Sequence, residues 1–179
     1  MRLPTFMARQ AYDLNMAGTC SFGKMSEREA TKALGDGRIL GLLAEQFLDH
    51  EFENLTRLND DSKSDLYDNV LGGMWEAKSF KSIGAAGTSC TIAKSEMRGK
   101  GRAYNHDLQV KYLETLLGVI IIDRAYWPHL RIIGFRTEDI LGTMVTGKKR
   151  ITKNVLTNSG LIPKQFFNDA WDRSKVIEL

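Results

Sequence analysis

Asp65, Glu76 and Lys78 stand in the stretch Lys63-Ser-Asp-Leu-Tyr-Asp-Asn-Val-Leu-Gly-Gly-Met-Trp-Glu-Ala-Lys-Ser-Phe80. It reads as an acid, a gap of ten residues, then acid-x-Lys on an apolar strand. Residues two apart on a strand share a face, so Glu76 and Lys78 point the same way. If residues 63–68 and 73–80 pair as a hairpin closed by the four residues 69–72, Asp65 falls opposite Glu76 on that face. Directly opposed residues stand about 5 Å apart at Cβ. Two carboxylates so close repel, and a hard divalent cation relieves the conflict because it takes oxygen ligands. A lysine beside them can orient a water and meet negative charge on a phosphate. The chemistry implied is metal-assisted cleavage of a phosphodiester, in which the cation polarises the phosphoryl oxygen and activates water. A second acid-x-Lys, Asp61-Ser-Lys63, lies in turn-like sequence with no apolar strand around it. The plain alternative for Glu76 and Lys78 is the solvent face of an amphipathic strand.

Several elements must position these groups. Ser26-Glu-Arg-Glu29 is a capping box opening a short helix through Leu34, and Gly35-Asp-Gly37 breaks it. A second helix is predicted from about Arg38 to Glu53, with Ile39, Leu42, Leu43, Phe47 and Leu48 as its apolar stripe. The hairpin follows the turn residues Asn59-Asp60-Asp61. Residues 81–103 read as loop, with a short strand at Thr88–Ala93. A helix from about Asn105 to Leu117 is expected to end on Gly118 at the C′ position. Strands at Val119–Asp123 and Leu130–Phe135 and a helical turn at Thr137–Leu141 come next, and Pro163 opens a helix near the end. Helices and strands alternate, so the fold class is α/β, a central mixed β-sheet flanked by helices. The length and the lack of a linker suit one domain.

The net charge is only +3, but its distribution is uneven. Residues 26–68 hold eleven acids against five bases, whereas residues 81–111 and the tail from 148 are basic. An acidic segment between basic ones suits a cation site within a polyanion-binding surface. No apolar run approaches the length of a membrane span, and residues 1–10 carry no continuous apolar stretch. The two cysteines, Cys20 and Cys90, lie outside any metal-ligand spacing and read as reduced thiols of a cytoplasmic protein, bacterial or in a phage-infected host.

Asp65, the gap and Glu76-Ala-Lys78-Ser79 resemble the motif of the PD-(D/E)XK nucleases, with Ser64 where the motif has proline. The resemblance covers about residues 37–135. It implies a restriction-endonuclease-like fold with the active site at one end of the central hairpin. It further implies Mg²⁺, with Mn²⁺ able to substitute, held by Asp65, Glu76 and the Ala77 carbonyl. Lys78 would act on the water, and Glu45 would join from the helix before the hairpin. The expected activity is endonucleolytic cleavage of specific double-stranded DNA sites by a homodimer of the type II restriction kind. These residues do not separate that activity from a homing or junction-resolving nuclease of phage or mobile elements with the same fold, and a non-catalytic DNA-binding protein is the alternative outside enzymology.

Lys94, Arg98, Lys100 and Arg102, interleaved with Gly99 and Gly101, are candidates for phosphate contact, and Tyr104 and Asn105 for sugar or base. Residues 147–179 are a candidate DNA-binding or dimerisation region. Gly84-Ala-Ala-Gly-Thr-Ser-Cys90 lacks the Gly-Lys ending of a phosphate loop, and His50, His106 and His129 are too scattered for a zinc site.

Overall fold

Val119-Ile-Ile-Ile122 has no polar alternation, and a strand of that kind has to be covered on both faces. All four of its side chains are buried. It lies in the middle of the sheet, and the rest of the chain is arranged around it. The computed structural model describes residues 4–15, 37–58, 62, 64–80, 89–91, 106–126, 129–141, 150–152 and 176–178. The elements are β1 (Ala11–Asn15), α1 (Gly37–Glu51), β2 (Leu55–Arg57), β3 (Leu66–Asp68), β4 (Gly73–Phe80), β5 (Ser89–Thr91), α2 (His106–Glu114), β6 (Gly118–Tyr126), β7 (His129–Arg136), α3 (Thr137–Leu141), β8 (Arg150–Thr152) and β9 (Val176–Glu178).

Among the described residues seven strands form one mixed sheet in the order β2-β3-β4-β6-β7-β1-β9, and β5 and β8 make a separate two-stranded ribbon. β2, β3 and β4 run antiparallel in succession. The chain then crosses over through α2 to place β6 parallel to β4. β7 returns antiparallel to β6. β1 adds beyond β7, and β9 pairs parallel with β1. The α/β class and the mixed sheet agree with the sequence reading. The edge contributed by β1 and β9 does not appear in it, because short strands without strong alternation carry little local signal.

One face of the sheet packs on α1. Ala44, Leu48 and Phe52 close over Trp75, Ile120, Ile122, Leu130 and Ile132. The buried line therefore runs through Ala44 and Leu48 of α1 and on to Phe52 just past its end, with Leu43 and Phe47 beside it, and the expected stripe residue Leu42 is exposed. Phe6 fills the gap between α1 and the sheet, edge-on to Phe52 (5.2 Å) and to Trp75 (5.5 Å). Asn54 pins this N-terminal arm: its Oδ1 accepts from Phe6 N (2.7 Å) and its Nδ2 donates to Phe6 O (3.2 Å). The other face carries Val119, Ile121 and Phe135 and is covered by α2 and α3 through Leu113, Leu116 and Ile140, all buried.

Gly118 corrects one expectation. It is not the C′ residue of α2, which ends at Glu114, but the first residue of β6. A Cβ there would lie 1.9 Å from the Phe135 carbonyl oxygen and 2.6 Å from the Trp75 ring. The glycine is required by close approach of β7 and by the indole, not by helix termination. The end of α2 is met instead by Thr137, whose single hydroxyl proton lies between Leu113 O (3.0 Å) and, just past the helix, Leu116 O (2.8 Å). Leu117 N then donates to Met74 O (2.8 Å), which fixes the end of α2 against the start of β4. The predicted helices at 26–34 and near Pro163 lie outside the described residues.

Candidate active site

The β3–β4 hairpin has the register that a four-residue loop demands. Leu66, Tyr67 and Asp68 face Trp75, Met74 and Gly73. Asp65 lies just before the paired residues, and its N–H donates to Trp75 O (3.3 Å). The loop is held by Asp68, whose Oδ1 accepts from Val70 N and Leu71 N (both 3.0 Å), and Gly72 supplies the left-handed φ of 68° that the turn needs. Oδ2 of Asp68 accepts from Trp75 Nε1 (3.2 Å) and Asn54 Nδ2 (3.0 Å). Asp68 thus shares the α1 face with Trp75 and stabilises the hairpin; it takes no part in the acidic pair on the other face.

That pair converges. Asp65 Oδ2 accepts the Ala77 N–H at 2.7 Å, which draws the carboxylate over the middle of β4. Glu76 is fully buried, so the solvent-face alternative does not describe it. Lys78 Nζ donates to Glu76 Oε1 and to the Ala77 carbonyl (3.1 Å), and lies 3.8 Å from Asp65 Oδ2. Three oxygens, from two carboxylates and a main-chain carbonyl, therefore surround one positive charge. The ammonium compensates the buried Glu76, which would otherwise be strongly unfavourable in a low-dielectric interior. The Lys78 side chain remains 22% exposed, so the charge sits at the rim of the site.

Two further side chains enter from the helices. Glu45 of α1 lies beside Arg57, Oε2 to Nε 3.5 Å. Burial, and after it the charge of Asp65, push its carboxyl up to about 7, against the opposing pull of Arg57 and Lys78. Glu45 is thus within the electrostatic field of Asp65 and Lys78. Tyr112 of α2 is the residue that the sequence reading missed. Its hydroxyl donates to Glu76 Oε2, so the two oxygens of Glu76 are divided between Tyr112 and Lys78. Burial and the neighbouring Glu76 hold the Tyr112 hydroxyl far above its ordinary value, so it stays a donor. A local signal existed: Gln109 and Tyr112 are polar residues on the face of α2 that carries Leu113. What a single sequence lacks is the partner, 36 residues away.

The donor set fits a hard cation. Carboxylate and carbonyl oxygens are the ligands Mg²⁺ takes, and here they already enclose a cationic group. Among the described residues no three His, Cys, Asp or Glu side chains come together as a metal-holding group; the set is two carboxylates and one carbonyl. Lys94, Arg98, Lys100, Arg102, Tyr104 and Asn105 lie outside the described residues.

On the same face as Glu76, Asp123, Arg131 and Asp13 are cross-strand neighbours on β6, β7 and β1, all buried, an acid-arginine-acid row. Asp13 Oδ1 also meets His129 Nδ1 at 2.7 Å. A surface cleft of about 420 Å³ between the N-terminal arm and the hairpin loop, lined by Met7, Arg9, Val70, Leu71 and Arg136 among others, shares no residue with the acidic site. No helix among the described residues is long and apolar enough to cross a membrane. The chain matches no family model, no curated protein and no solved structure.

Proposed function

We propose that this chain is a Mg²⁺-dependent endonuclease that hydrolyses phosphodiester bonds in double-stranded DNA, in the manner of the type II restriction enzymes. The observation that carries the reading is the gathering of Asp65 Oδ2, Glu76 Oε1 and the Ala77 carbonyl around the Lys78 ammonium at the open end of the hairpin. The mixed sheet flanked by helices, with the acids on its central hairpin, is the setting that the PD-(D/E)XK resemblance implies.

In this mechanism Asp65, Glu76 and the Ala77 carbonyl would hold the cation, with the Lys78 ammonium turned out from among them toward the rim. Mg²⁺ would supply Lewis acidity toward the phosphoryl oxygen and a more acidic water. The Ala77 N–H keeps Asp65 turned toward β4, and Tyr112 keeps Glu76 from swinging away. Lys78, at the rim, is placed to orient the attacking water and to stabilise negative charge growing on the phosphate. Glu45, pushed up to about 7, would accept or release a proton within the field of Asp65 in the physiological range. The basic stretch from Lys94 to Arg102 and a second copy of the chain complete the proposed DNA interface.

The test is incubation of the full chain with plasmid DNA and with four-way junctions, in Mg²⁺ or Mn²⁺, with and without chelator. Discrete plasmid bands that vanish with chelator and in Lys78→Ala support the proposal. Cleavage of junctions alone would move the activity to resolution. DNA left intact under every metal condition would sink the nuclease reading.

A further inference from the structure

The Lys78 ammonium sits where three oxygens gather: it donates to Glu76 Oε1 and to the Ala77 carbonyl (3.1 Å), and lies 3.8 Å from Asp65 Oδ2. Each carboxylate is also held by a group other than the lysine. Asp65 Oδ2 accepts the Ala77 N–H at 2.7 Å, and Glu76 Oε2 accepts the Tyr112 hydroxyl. The oxygens therefore do not depend on the lysine to stay together. The lysine is the movable member: its side chain is 22% exposed, against 1% for Glu76, and its ammonium hangs on a flexible stem. We propose that Lys78 is a built-in competitor for the cation of this site: its ammonium neutralises the buried acid until a divalent cation takes the same oxygens, and the two do not occupy them together.

The exclusion follows from size and charge. An ammonium bonds carboxylate oxygens at about 2.7–2.9 Å. Mg²⁺ binds them at about 2.0–2.1 Å and brings waters of its own. Both positions lie within the same ring of oxygens, and like charges that close repel strongly beside a dry interior. Glu76 is fully buried and needs a positive partner, because an unpaired carboxylate there is costly. Lys78 and the cation are thus alternative partners, and the lysine leaves toward the rim. Its bond to Glu76 must be given up first, which weakens the hold of the site on a cation. The ammonium released at the rim is the one that the proposed reaction needs beside the phosphate, so loading of the site and readying of Lys78 are one event. The inference rests on the metal-site reading proposed above and adds to it how that site is guarded.

The experiment has two parts, both on the full chain without DNA. Titration calorimetry with MgCl₂ compares the parent with Lys78→Met, which keeps a long side chain and loses the charge. The variant is expected to bind Mg²⁺ roughly tenfold more tightly, between the effects of breaking an exposed and a buried ion pair. Binding by the variant alone supports the inference equally. Lysine side-chain NMR of the parent follows the ammonium itself, assigned by its absence in Lys78→Arg. With chelator present, its resonance should stand apart from those of exposed lysines, because the ammonium is hydrogen-bonded. On titration with MgCl₂ it should move to join them, in step with the calorimetric curve. A variant that binds Mg²⁺ no more tightly than the parent overturns the inference and leaves the metal site standing. So does a resonance that stays in place while Mg²⁺ saturates the parent, which would put lysine and cation side by side, or one already at the exposed position before Mg²⁺ is added. Should Lys78→Met not fold, the resonance decides alone. Mg²⁺ bound by no folded form of the chain overturns the metal site and the inference together.

Discussion

Glu45→Gln tests the electrostatics of the site without assuming its function. The Glu45 carboxyl titrates near 7 in the folded chain against an ordinary value of 4.5. Its protonated form is thus the one the fold prefers. The stability it contributes is fully present below about pH 4.5 and is lost as pH rises through about 7. At about 1.4 kcal/mol per unit, the charged form would be disfavoured by roughly 3 kcal/mol at pH 8. Water still reaches a side chain that is 18% exposed, which reduces the expectation to about 2 kcal/mol. Glutamine has the same shape and no charge to bury. Urea unfolding with chelator present should therefore find parent and variant nearly equal at pH 5, where Arg57 faces a neutral partner in both. At pH 8 the variant should be the more stable by about 2 kcal/mol. A difference that is identical at the two pH values would refute the placement of Glu45 in a dry site facing Asp65. If Glu45 also assists cation binding, Mg²⁺ affinity of the parent rises between pH 6 and 8, and the variant loses that rise.

Two other substitutions test the scaffold that presents the acids. Asp68→Ala removes the acceptor of four hydrogen bonds, from Val70, Leu71, Trp75 and Asn54. It should lower the unfolding free energy by about 3–5 kcal/mol, with Asp68→Asn losing less; denaturant titration measures both, and a loss below about 1 kcal/mol would contradict the role given to Asp68. Gly118→Ala forces a methyl to within 1.9 Å of the Phe135 carbonyl oxygen. The pairing of β6 with β7 must open to admit it, and a loss of about 4 kcal/mol or more is expected, read as a collapse in melting temperature or in soluble yield. A variant with parental stability would show that the two strands are not so closely apposed.

Much of the site was legible because its elements are local. Asp65, Glu76 and Lys78 lie within 14 consecutive residues, and the strand period of two puts Glu76 and Lys78 on one face, while the Ala77 N–H draws Asp65 to them. α1, β4, β6, β7 and α3 are likewise announced by periodicity or by an unbroken apolar run. Gly118 shows how a local rule misleads: a glycine after a helical stretch suggests a cap, while the cause lies in a strand 17 residues further on. β1 and β9 are short, and each needs a partner distant in sequence before it becomes a strand at all.

By itself the sequence determined the identity and spacing of the two acids and the lysine, the turn that opposes them, and the apolar segments that make a mixed sheet with helices the natural outcome. The tertiary structure alone decided how deep the acids lie and what else they meet. Crossover through α2 brings Tyr112 onto Glu76, and the packing of α1 sets Glu45 in the field of Asp65. Burial, and with it the local dielectric, is a property of layers meeting in space, so no spacing along the chain could have disclosed that Glu76 is held beneath the surface by a phenol on one oxygen and an ammonium on the other.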